Sequence, residues 1–342
     1  MKTKRITALF LAAALLCASC FTIAGCSKKD PNKIRVSEVT HSIFYGPLYI
    51  ALNNGYFKDE GLTVTIDNAG GSEKAMTAVI SGNAEIGLMG PETVVYTMVE
   101  GKKDHPVVFG QLTKRDGSFL MGRVPEPDFS WDNLAGKTIL MGRPGGMPDM
   151  TLRYVLNQKG YTHSATPTGA KQINMDTSIN DFNALAGVFA ANAKFDYGTM
   201  FEPTATEFQN EDKAYIVASV GQESGEVPFT SFIANPKYLK SHAEQAKKFL
   251  KAVKKAYDFI MNSETKAVAQ SLKKSFDGIS AESCEFVVVS YKKIDAWNAT
   301  PVLAEAAFNR MQDVIENAGN LKKADRVDYN KAVDNTYAKA IA

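Results

Sequence analysis

Apolar and polar positions repeat along the first part of the chain in an order of strands and helices. Alternating or continuous apolar runs predict strands at residues 34–40, 62–66 and 86–89. Helices are predicted at residues 48–54 and from Gly70-Gly71-Ser72 to near Gly82. This alternation predicts an α/β sandwich with parallel strand pairing.

A second series of the same kind follows. Its strands are expected at residues 107–112, 119–124, 137–142, 172–175 and 197–201, and its helices at residues 149–158 and 179–191. From residue 241 onward, apolar side chains recur with helical spacing. The 342 residues exceed the roughly 250 to 300 at which single cores tend to divide. We therefore predict one lobe from residues 34–118 and 226–342, which includes the C-terminal helices, and a second from residues 119–225.

The first 25 residues have the composition of a secretory signal peptide. A short basic start is followed by an almost entirely apolar run. The run ends at Ile23-Ala24-Gly25-Cys26, which is similar to the lipobox of bacterial lipoproteins. In such proteins the cysteine is acylated and becomes the mature N-terminus, so residues 26–33 would form a lipid-anchored tether. The alternative is an uncleaved membrane helix, because residues 6–24 approach the roughly 20 residues that span a bilayer.

Charge and cysteine content narrow the function further. The formal net charge of +2 becomes −1 for a chain that starts at Cys26, since three of the 39 basic residues leave against 37 acidic ones. This balance gives no support to nucleic-acid binding. Cys17 and Cys20 leave with the predicted signal and Cys26 is the predicted lipid acceptor, so Cys284 remains alone. The domain must then fold without an internal disulfide, and the apolar neighbours of Cys284 predict a buried thiol.

The sequence carries no complete motif for catalysis or metal binding. The histidines, which are His41, His105, His163 and His242, lie far apart without paired cysteine or carboxylate spacing. Gly136-Lys137-Thr138 resembles the end of a phosphate-binding loop, but Trp131 stands where that loop needs glycine. The serine of Gly221-Gln222-Glu223-Ser224-Gly225 lies one position late for a nucleophile elbow. We therefore predict a protein that is not an enzyme and holds neither metal nor cofactor.

Residues 44–64 carry a resemblance to a known family. They contain Pro47-Leu48-Tyr49-Ile50-Ala51, Gly55-Tyr56-Phe57 and Glu60-Gly61-Leu62-Thr63-Val64. This series resembles the solute-binding proteins of ABC importers for nitrate, sulfonate, taurine and thiamine-precursor pyrimidines. The likeness continues in family order through residues 76–87, residues 133–138, Glu202-Pro203, Pro228 and Asn235. It spans most of residues 34–260.

The resemblance implies a two-lobed type II periplasmic-binding fold, with an α/β sandwich in each lobe and the ligand between them. It implies crossing segments near residues 113–119 and 227–232. It also implies a monomer that captures a small solute on the extracytoplasmic face of a bacterial membrane. The closed form is then presented to a permease that a cytoplasmic ATPase drives.

Candidate ligand contacts follow from a general property of open α/β sheets, whose ligands bind beyond the carboxyl ends of the strands. The turns expected there supply His41, Ser42, Phe44, Tyr45, Gly71, Ser72, Glu92, Thr93, Gly146, Met147 and Ser178. Arg115 at the first crossing, Glu202 after a predicted strand and Phe229 at the return crossing complete the set. Glycines before two helix N-termini would let exposed N–H groups approach a small anion.

Each candidate also has a structural interpretation. Glu92 can simply favour the positive end of its helix, and Glu202-Pro203 can be a structural turn. Arg115 can pair with Asp116, and the aromatic residues can belong to the core. The glycine-rich segments can be plain turns, and His41 can simply belong to a turn. The sequence leaves these alternatives open.

Two solute classes and three functions remain at this point. Glycine-led helix starts suit a sulfonate, nitrate or carboxylate, whereas the aromatic and acidic candidates suit a nitrogen heterocycle. Solute capture for import is the preferred function. A ligand-sensing surface lipoprotein is the first alternative, and an enzyme similar to thiamine-pyrimidine synthases is the second, although the cysteine-rich segment that would support it is missing.

Overall fold

The computed structural model describes residues 30–101, 104–179 and 184–342. The predicted signal peptide and Cys26 lie outside these residues. Strands in the described chain are β1 (Lys33–Glu38), β2 (Thr63–Asn68), β3 (Ile86–Met89), β4 (Val107–Thr113), β5 (Ser118–Gly122), β6 (Thr138–Leu140), β7 (Thr162–His163), β8 (Gln172–Asp176), β9 (Tyr197–Phe201), β10 (Tyr215–Ser219) and β11 (Thr230–Ala234). They form two separate sheets.

The helices surround these sheets. They are α1 (Gly46–Asn53), α2 (Tyr56–Asp59), α3 (Ser72–Ser81), α4 (Glu92–Val99), α5 (Met147–Gln158), α6 (Leu185–Ala191), α7 (Thr204–Asn210), α8 (Val220–Ser224), α9 (Pro236–Ser241), α10 (Ala243–Asn262), α11 (Thr265–Lys273), α12 (Ala281–Lys293), α13 (Glu305–Asn317), α14 (Tyr329–Ala332) and α15 (Thr336–Lys339). Short 3-10 turns occupy Ile43–Tyr45, Trp131–Leu134 and Lys323–Asp325. Within the described residues, no helix is both long enough and apolar enough to cross a bilayer.

The first sheet has the strand order β2-β1-β3-β11-β4. β1 runs parallel to β2 and β3, with Ile34 opposite Val64 and Val36 opposite Ile86. β11 lies antiparallel between β3 and β4, although it comes more than a hundred residues later in the chain. The second sheet has the order β10-β5-β9-β6-β8-β7, in which β6, β8 and β9 pair in parallel and β5 is antiparallel to β9 and β10.

The chain crosses from the first sheet to the second between Thr113 and Ser118 and returns between β10 and β11. The two crossings run side by side. The backbone N–H of Val227 donates to the carbonyl of Lys114 at 3.0 Å, and that of Phe229 donates to the carbonyl of Thr113 at 3.2 Å. Paired crossings of this kind hold two lobes together while leaving a cleft between them.

The C-terminal helices pack against both lobes. An apolar face of α10 lies on the first sheet, where the Phe249 ring meets Phe57 and Phe232 at centroid distances of 5.0 Å. α13 packs against α4 of the first lobe and α5 of the second. There the Asn157 side chain donates to Asn317 Oδ1 at 2.7 Å.

The α/β two-lobed fold class is therefore confirmed. Strands predicted at residues 86–89 and 197–201 have these same bounds in the structure. The strand predicted at residues 137–142 is shorter, since only Thr138–Leu140 pair, and the helix predicted at residue 149 already begins at Met147. β7, β10 and β11 were not predicted, because β7 has only two polar residues and the five-residue β10 and β11 are too short to show a distinctive period. Cys284 is fully buried, as predicted, and burial raises the pKa of its thiol.

Candidate functional site

A cleft of about 560 Å³ lies between the two sheets, at the carboxyl ends of their parallel strands. The turns after β1 and β3 and the start of α3 wall it from the first lobe. The turn before α5, the start of α6 and the end of β9 wall it from the second. Its lining includes Val39, Thr40, Ile43, Gly70, Glu73, Lys74, Gly90, Arg143, Pro148, Leu185, Thr199, Met200, Phe201, Thr230, Phe276 and Ile279.

Most of the residues predicted to contact a ligand also line this cleft. They are His41, Ser42, Phe44, Tyr45, Gly71, Ser72, Glu92, Gly146, Met147, Glu202 and Phe229. They converge because each follows the carboxyl end of a strand, begins a helix or lies on a crossing. Their contact with a solute stays a prediction.

Thr93, Arg115 and Ser178 do not line the cleft. Thr93 is buried, and its hydroxyl donates to the carbonyl of Gly90 at 2.7 Å. Ser178 is exposed and closes a turn through a backbone hydrogen bond to Asp176. Arg115 points toward the return crossing, where it donates to the carbonyl of Gly221 at 3.4 Å. A role for these three side chains in direct ligand contact therefore has no geometric support here.

An aromatic cluster forms one wall of the cleft. The Phe44 ring lies 5.8 Å from both Phe201 and Phe229, and those two rings lie 6.1 Å apart. The indole N–H of buried Trp297 donates to the Phe44 carbonyl at 2.8 Å, which fixes the turn that carries Phe44. The rings meet edge-on or tilted, and Phe44 is only 1% exposed, so the wall is apolar but not flat.

The N-terminus of α3 faces the cleft from the first lobe. Gly70 and Gly71 have φ values of 67° and 154°, which side chains with a Cβ rarely adopt. No side chain caps this helix start. The first N–H groups of α3 are therefore available near the cleft, where the positive end of the helix dipole favours an anionic or acceptor group.

Arg143 and Glu73 join the two lobes across the cleft. Arg143 Nη2 lies 2.8 Å from Glu73 Oε1, and Nη1 lies 3.2 Å from Oε2. The pair is bidentate, and hydrogen bonding to Arg143 lowers the pKa of Glu73. Sequence reasoning missed both residues. Glu73 directly follows the predicted contact Ser72, but nothing in the sequence indicates that Arg143 lies opposite it.

Glu92 is buried in the cleft wall, with 4% of its surface exposed. Its Oε2 atom has no hydrogen-bond partner among the described residues. Burial raises the pKa of this carboxyl to about 8. At neutral pH the group is therefore mostly protonated, and it can both donate and accept a hydrogen bond.

Glu202 has a largely structural set of partners. Its carboxylate accepts hydrogen bonds from the backbone N–H of Thr206 at 3.0 Å and from the Thr206 hydroxyl at 2.9 Å. These bonds cap the start of α7, which follows directly after Pro203. Glu202 thus lines the cleft while both of its oxygens already have a partner in the protein.

His41 belongs to a polar network at the mouth of the cleft. Its Nδ1 lies 2.7 Å from the Tyr49 hydroxyl and 3.1 Å from Glu38 Oε1, while Nε2 lies 2.9 Å from the carbonyl of Ser275. Its ring stacks on Phe276 at 4.4 Å. Phe276 comes from the C-terminal helical region, and no local pattern predicts that it reaches the cleft.

The described residues contain no group of three histidine, cysteine or acidic side chains placed to hold a metal ion. The features that the cleft combines are an aromatic wall, an uncapped helix N-terminus, an ion pair between the lobes and a buried acid. These features suit non-covalent capture of a small molecule between two lobes. The fold and the cleft together define a periplasmic-binding-type solute-binding protein.

Comparison with known proteins agrees with that class. The family model described as NMT1/THI5 like matches residues 44–267. The chain belongs to this NMT1/THI5-like family. It is 39% identical over 322 residues to a putative binding protein, YtlA, of Bacillus subtilis (strain 168), which covers 94% of this chain and 93% of that protein.

Two more distant similarities are to a synthase, in sequence, and to a sulfonate-binding protein, in structure. The chain is 27% identical over 229 residues to the 4-amino-5-hydroxymethyl-2-methylpyrimidine phosphate synthase of Aspergillus parasiticus, covering 64% of this chain and 63% of the synthase. The structure is similar to the alkanesulfonate-binding protein SsuA from Xanthomonas axonopodis pv. citri bound to MOPS, with a TM-score of 0.66 and 16% identity. That match covers 89% of this chain and 99% of SsuA, and at this identity it shows the fold alone.

Proposed function

We propose that this protein is the extracytoplasmic, lipid-anchored solute-binding component of an ABC importer. It captures a small organic solute between its two lobes and delivers the closed form to a membrane permease, which a cytoplasmic ATPase drives. It acts as a monomer and carries out no reaction on the solute.

The observation that carries this proposal is the cleft of about 560 Å³ between the two sheets. Both lobes contribute to its walls, so a bound solute touches both and favours the closed arrangement. A ligand shifts such an equilibrium only by its difference in affinity for the two arrangements. Contacts from Phe44 on one side and Met147 on the other would supply that difference.

The crossings support motion of one lobe against the other. They comprise residues 114–117 and the segment between β10 and β11, and few backbone hydrogen bonds tie them to each other. We take residues 34–118 with 226–342 as the first rigid lobe and residues 119–225 as the second. A small rotation at the crossings would open and close the cleft, as in hinge-type closure around ligands.

Membrane attachment would come from Cys26. Lipidation at this position would leave residues 27–33 as a short tether between the bilayer and β1. The tether would keep the binding domain close to its permease on the extracytoplasmic face.

Two solute classes fit the cleft. The α3 N-terminus with Ser72 suits a small anionic group such as a sulfonate, the ligand class named for SsuA. The aromatic wall with Glu92 suits a nitrogen-containing ring, the class named in the synthase relative.

A thermal-shift screen tests the function. The full chain, purified in mild detergent, is screened against sulfonates, nitrate, bicarbonate, thiamine pyrimidines and flavins. A solute at 100 times its dissociation constant should stabilise the fold by about 2.7 kcal/mol. The solute should be recovered unchanged, as shown by mass spectrometry. Conversion of the bound compound would reject solute capture in favour of catalysis, and absence of binding across all classes would reject the proposal.

A further inference from the structure

The carboxyl group of Glu92 lies in space that the missing side chain of Gly90 leaves open. The side chain folds back over Gly90, and a Cβ on Gly90 would lie 1.9 Å from Glu92 Oε2. The turn therefore has room for this carboxyl only because residue 90 is glycine. The carboxyl is held at the cleft wall, at the first residue of α4.

The other carboxyl groups that line the cleft have protein partners. Glu73 forms its bidentate pair with Arg143, and both oxygens of Glu202 accept hydrogen bonds from Thr206. Glu92 Oε2 has no partner within the described part of the chain, although the residue is 96% buried. An unsatisfied buried polar atom costs free energy, and a ligand that satisfies it recovers that cost.

The surroundings of Glu92 favour one kind of ligand group. Among the described residues, the titratable groups with a resolved electrostatic interaction with its carboxyl are Glu73, Tyr45 and Tyr96, and none of these three is a cation. A ligand group that donates a hydrogen bond to this carboxyl would satisfy Oε2, which no described residue does. The aromatic wall on the same cleft, where Phe229 is 8% exposed, supplies apolar contacts to the part of the solute next to this group.

We propose, building on the solute-capture function, that Glu92 selects the solute by pairing with a planar nitrogen edge. This edge carries an N–H donor next to an acceptor, as in a primary amide or in a ring nitrogen beside an exocyclic amino group. Alternatively, it carries two N–H donors that share a positive charge, as in an amidine. The carboxyl group then makes two parallel hydrogen bonds in the plane of the ligand group.

Three probes that share a phenyl ring test this inference: benzamide, benzamidine and benzenesulfonate. They present a neutral nitrogen edge, a cationic nitrogen edge and an anion, respectively. Each is titrated by calorimetry into the full chain in mild detergent at pH 7. Two buffers with different ionisation enthalpies report the protons exchanged on binding.

Two substitutions at Glu92 separate hydrogen bonding from charge. Glu92→Leu removes both polar atoms, and it should lower the affinity for benzamide and for benzamidine by at least about 10-fold. Glu92→Gln keeps a neutral donor and acceptor of the same size, so its affinity for benzamide should match that of the wild type. Its affinity for benzamidine should fall by at least about 10-fold. Wild-type protein should release close to one proton when it binds benzamidine, since the buried acid must ionise beside the cation.

The matched control is Glu244→Gln. Glu244 also lies in the first turn of a helix, but its side chain is 72% exposed and pairs with Lys247, away from the cleft. This variant should bind all probes as the wild type does.

The inference is overturned if neither nitrogen probe binds, if benzenesulfonate binds more tightly than both, or if Glu92→Leu leaves their affinities unchanged. Its failure differs from failure of the proposed function. A solute found in the thermal-shift screen that binds Glu92→Leu with wild-type affinity leaves solute capture standing and overturns only the role of Glu92. If no solute of any class binds, both are overturned.

Discussion

Arg143 and Glu73 connect the second lobe to the first across the mouth of the cleft, with a shortest N–O distance of 2.8 Å. Arg143 lies in the turn after β6, and Glu73 lies in the first turn of α3. Their side chains are 45% and 69% exposed, so water and salt screen the attraction. The pair is therefore a weak contact that can break and re-form as the lobes move, and we call it the latch.

We expect Arg143→Ala to shift the free protein toward a more open arrangement. An exposed ion pair contributes at most about 1 kcal/mol, so the shift should be modest and should shrink at high salt. Small-angle X-ray scattering at low and high ionic strength measures it as a larger radius of gyration. The exchanged variant Arg143→Glu with Glu73→Arg should return the wild-type radius. An identical radius in wild type and Arg143→Ala at low salt would contradict the latch.

The buried Glu92 predicts how stability depends on pH. Its pKa is about 8 in the folded protein against an ordinary value of 4.5, so the folded state binds more protons between these values. The contribution of Glu92 to the free energy of unfolding is therefore fully present below the ordinary pKa. It is lost as pH rises through the pKa of the folded protein. The loss approaches about 1.4 kcal/mol per pH unit within that interval.

Glu92→Gln removes this titration, so the variant should gain stability relative to wild type as pH rises from 5 to 9. Urea unfolding at pH 5, 7 and 9 measures the difference. Glu244→Gln again serves as the control, because that exposed side chain should leave the slope unchanged. A constant difference between wild type and Glu92→Gln at all three pH values would rule out the titration of Glu92.

Gly221 predicts a strong packing effect at the return crossing. A Cβ on Gly221 would lie 2.0 Å from the backbone carbonyl oxygen of Asp116, which belongs to the other crossing. Gly221→Ala must therefore push the two crossings apart, and we expect a loss of about 1–3 kcal/mol in the free energy of unfolding.

Gly187→Ala is the matched control for this substitution. Gly187 lies in α6, where the added Cβ meets no described atom within 4 Å apart from its chain neighbours and the backbone of its own helix. Alanine should be neutral there or stabilise the protein by about 0.5–1 kcal/mol, because it restricts the unfolded chain. Urea denaturation compares both variants with wild type. Equal stability of Gly221→Ala and Gly187→Ala would show that the crossings do not need their close approach.

Membrane attachment predicts a simple difference in location. Cys26→Ala should prevent acylation, so the protein should no longer partition with the membrane fraction of expressing bacteria. Metabolic labelling with a radioactive fatty acid should mark the wild type and not the variant. Cys284→Ala should keep both the label and the membrane location, since that thiol is buried. Labelling that persists in Cys26→Ala would reject this acceptor.

Much of the fold follows from local sequence patterns. Strands β1, β2 and β3 could be predicted because alternating or continuous apolar runs define them without reference to distant residues. The turns that approach the cleft could also be predicted, since the carboxyl ends of parallel strands meet at one edge. His41, Ser72 and Gly146 come to one cavity for this reason.

The partners of each side chain could not be predicted in the same way. Glu92 and Glu202 are both acids that line the cleft, but Thr206 satisfies Glu202 while one oxygen of Glu92 has no partner among the described residues. Arg115, which the sequence places at a crossing, is directed toward Gly221 rather than into the cleft. These outcomes depend on side-chain directions after the two crossings have set the lobes together.

The sequence by itself determined the class of this protein: an α/β chain in two lobes, with helix starts and small residues at the edges that line the cleft. The tertiary structure alone decided the chemistry of the cleft. Arg143 meets Glu73 from 70 residues away, and Phe276 reaches His41 from the C-terminal region. The physical reason is that periodicity is a local property of the chain, whereas burial and pairing depend on which distant segments the fold brings within a few ångströms of each other.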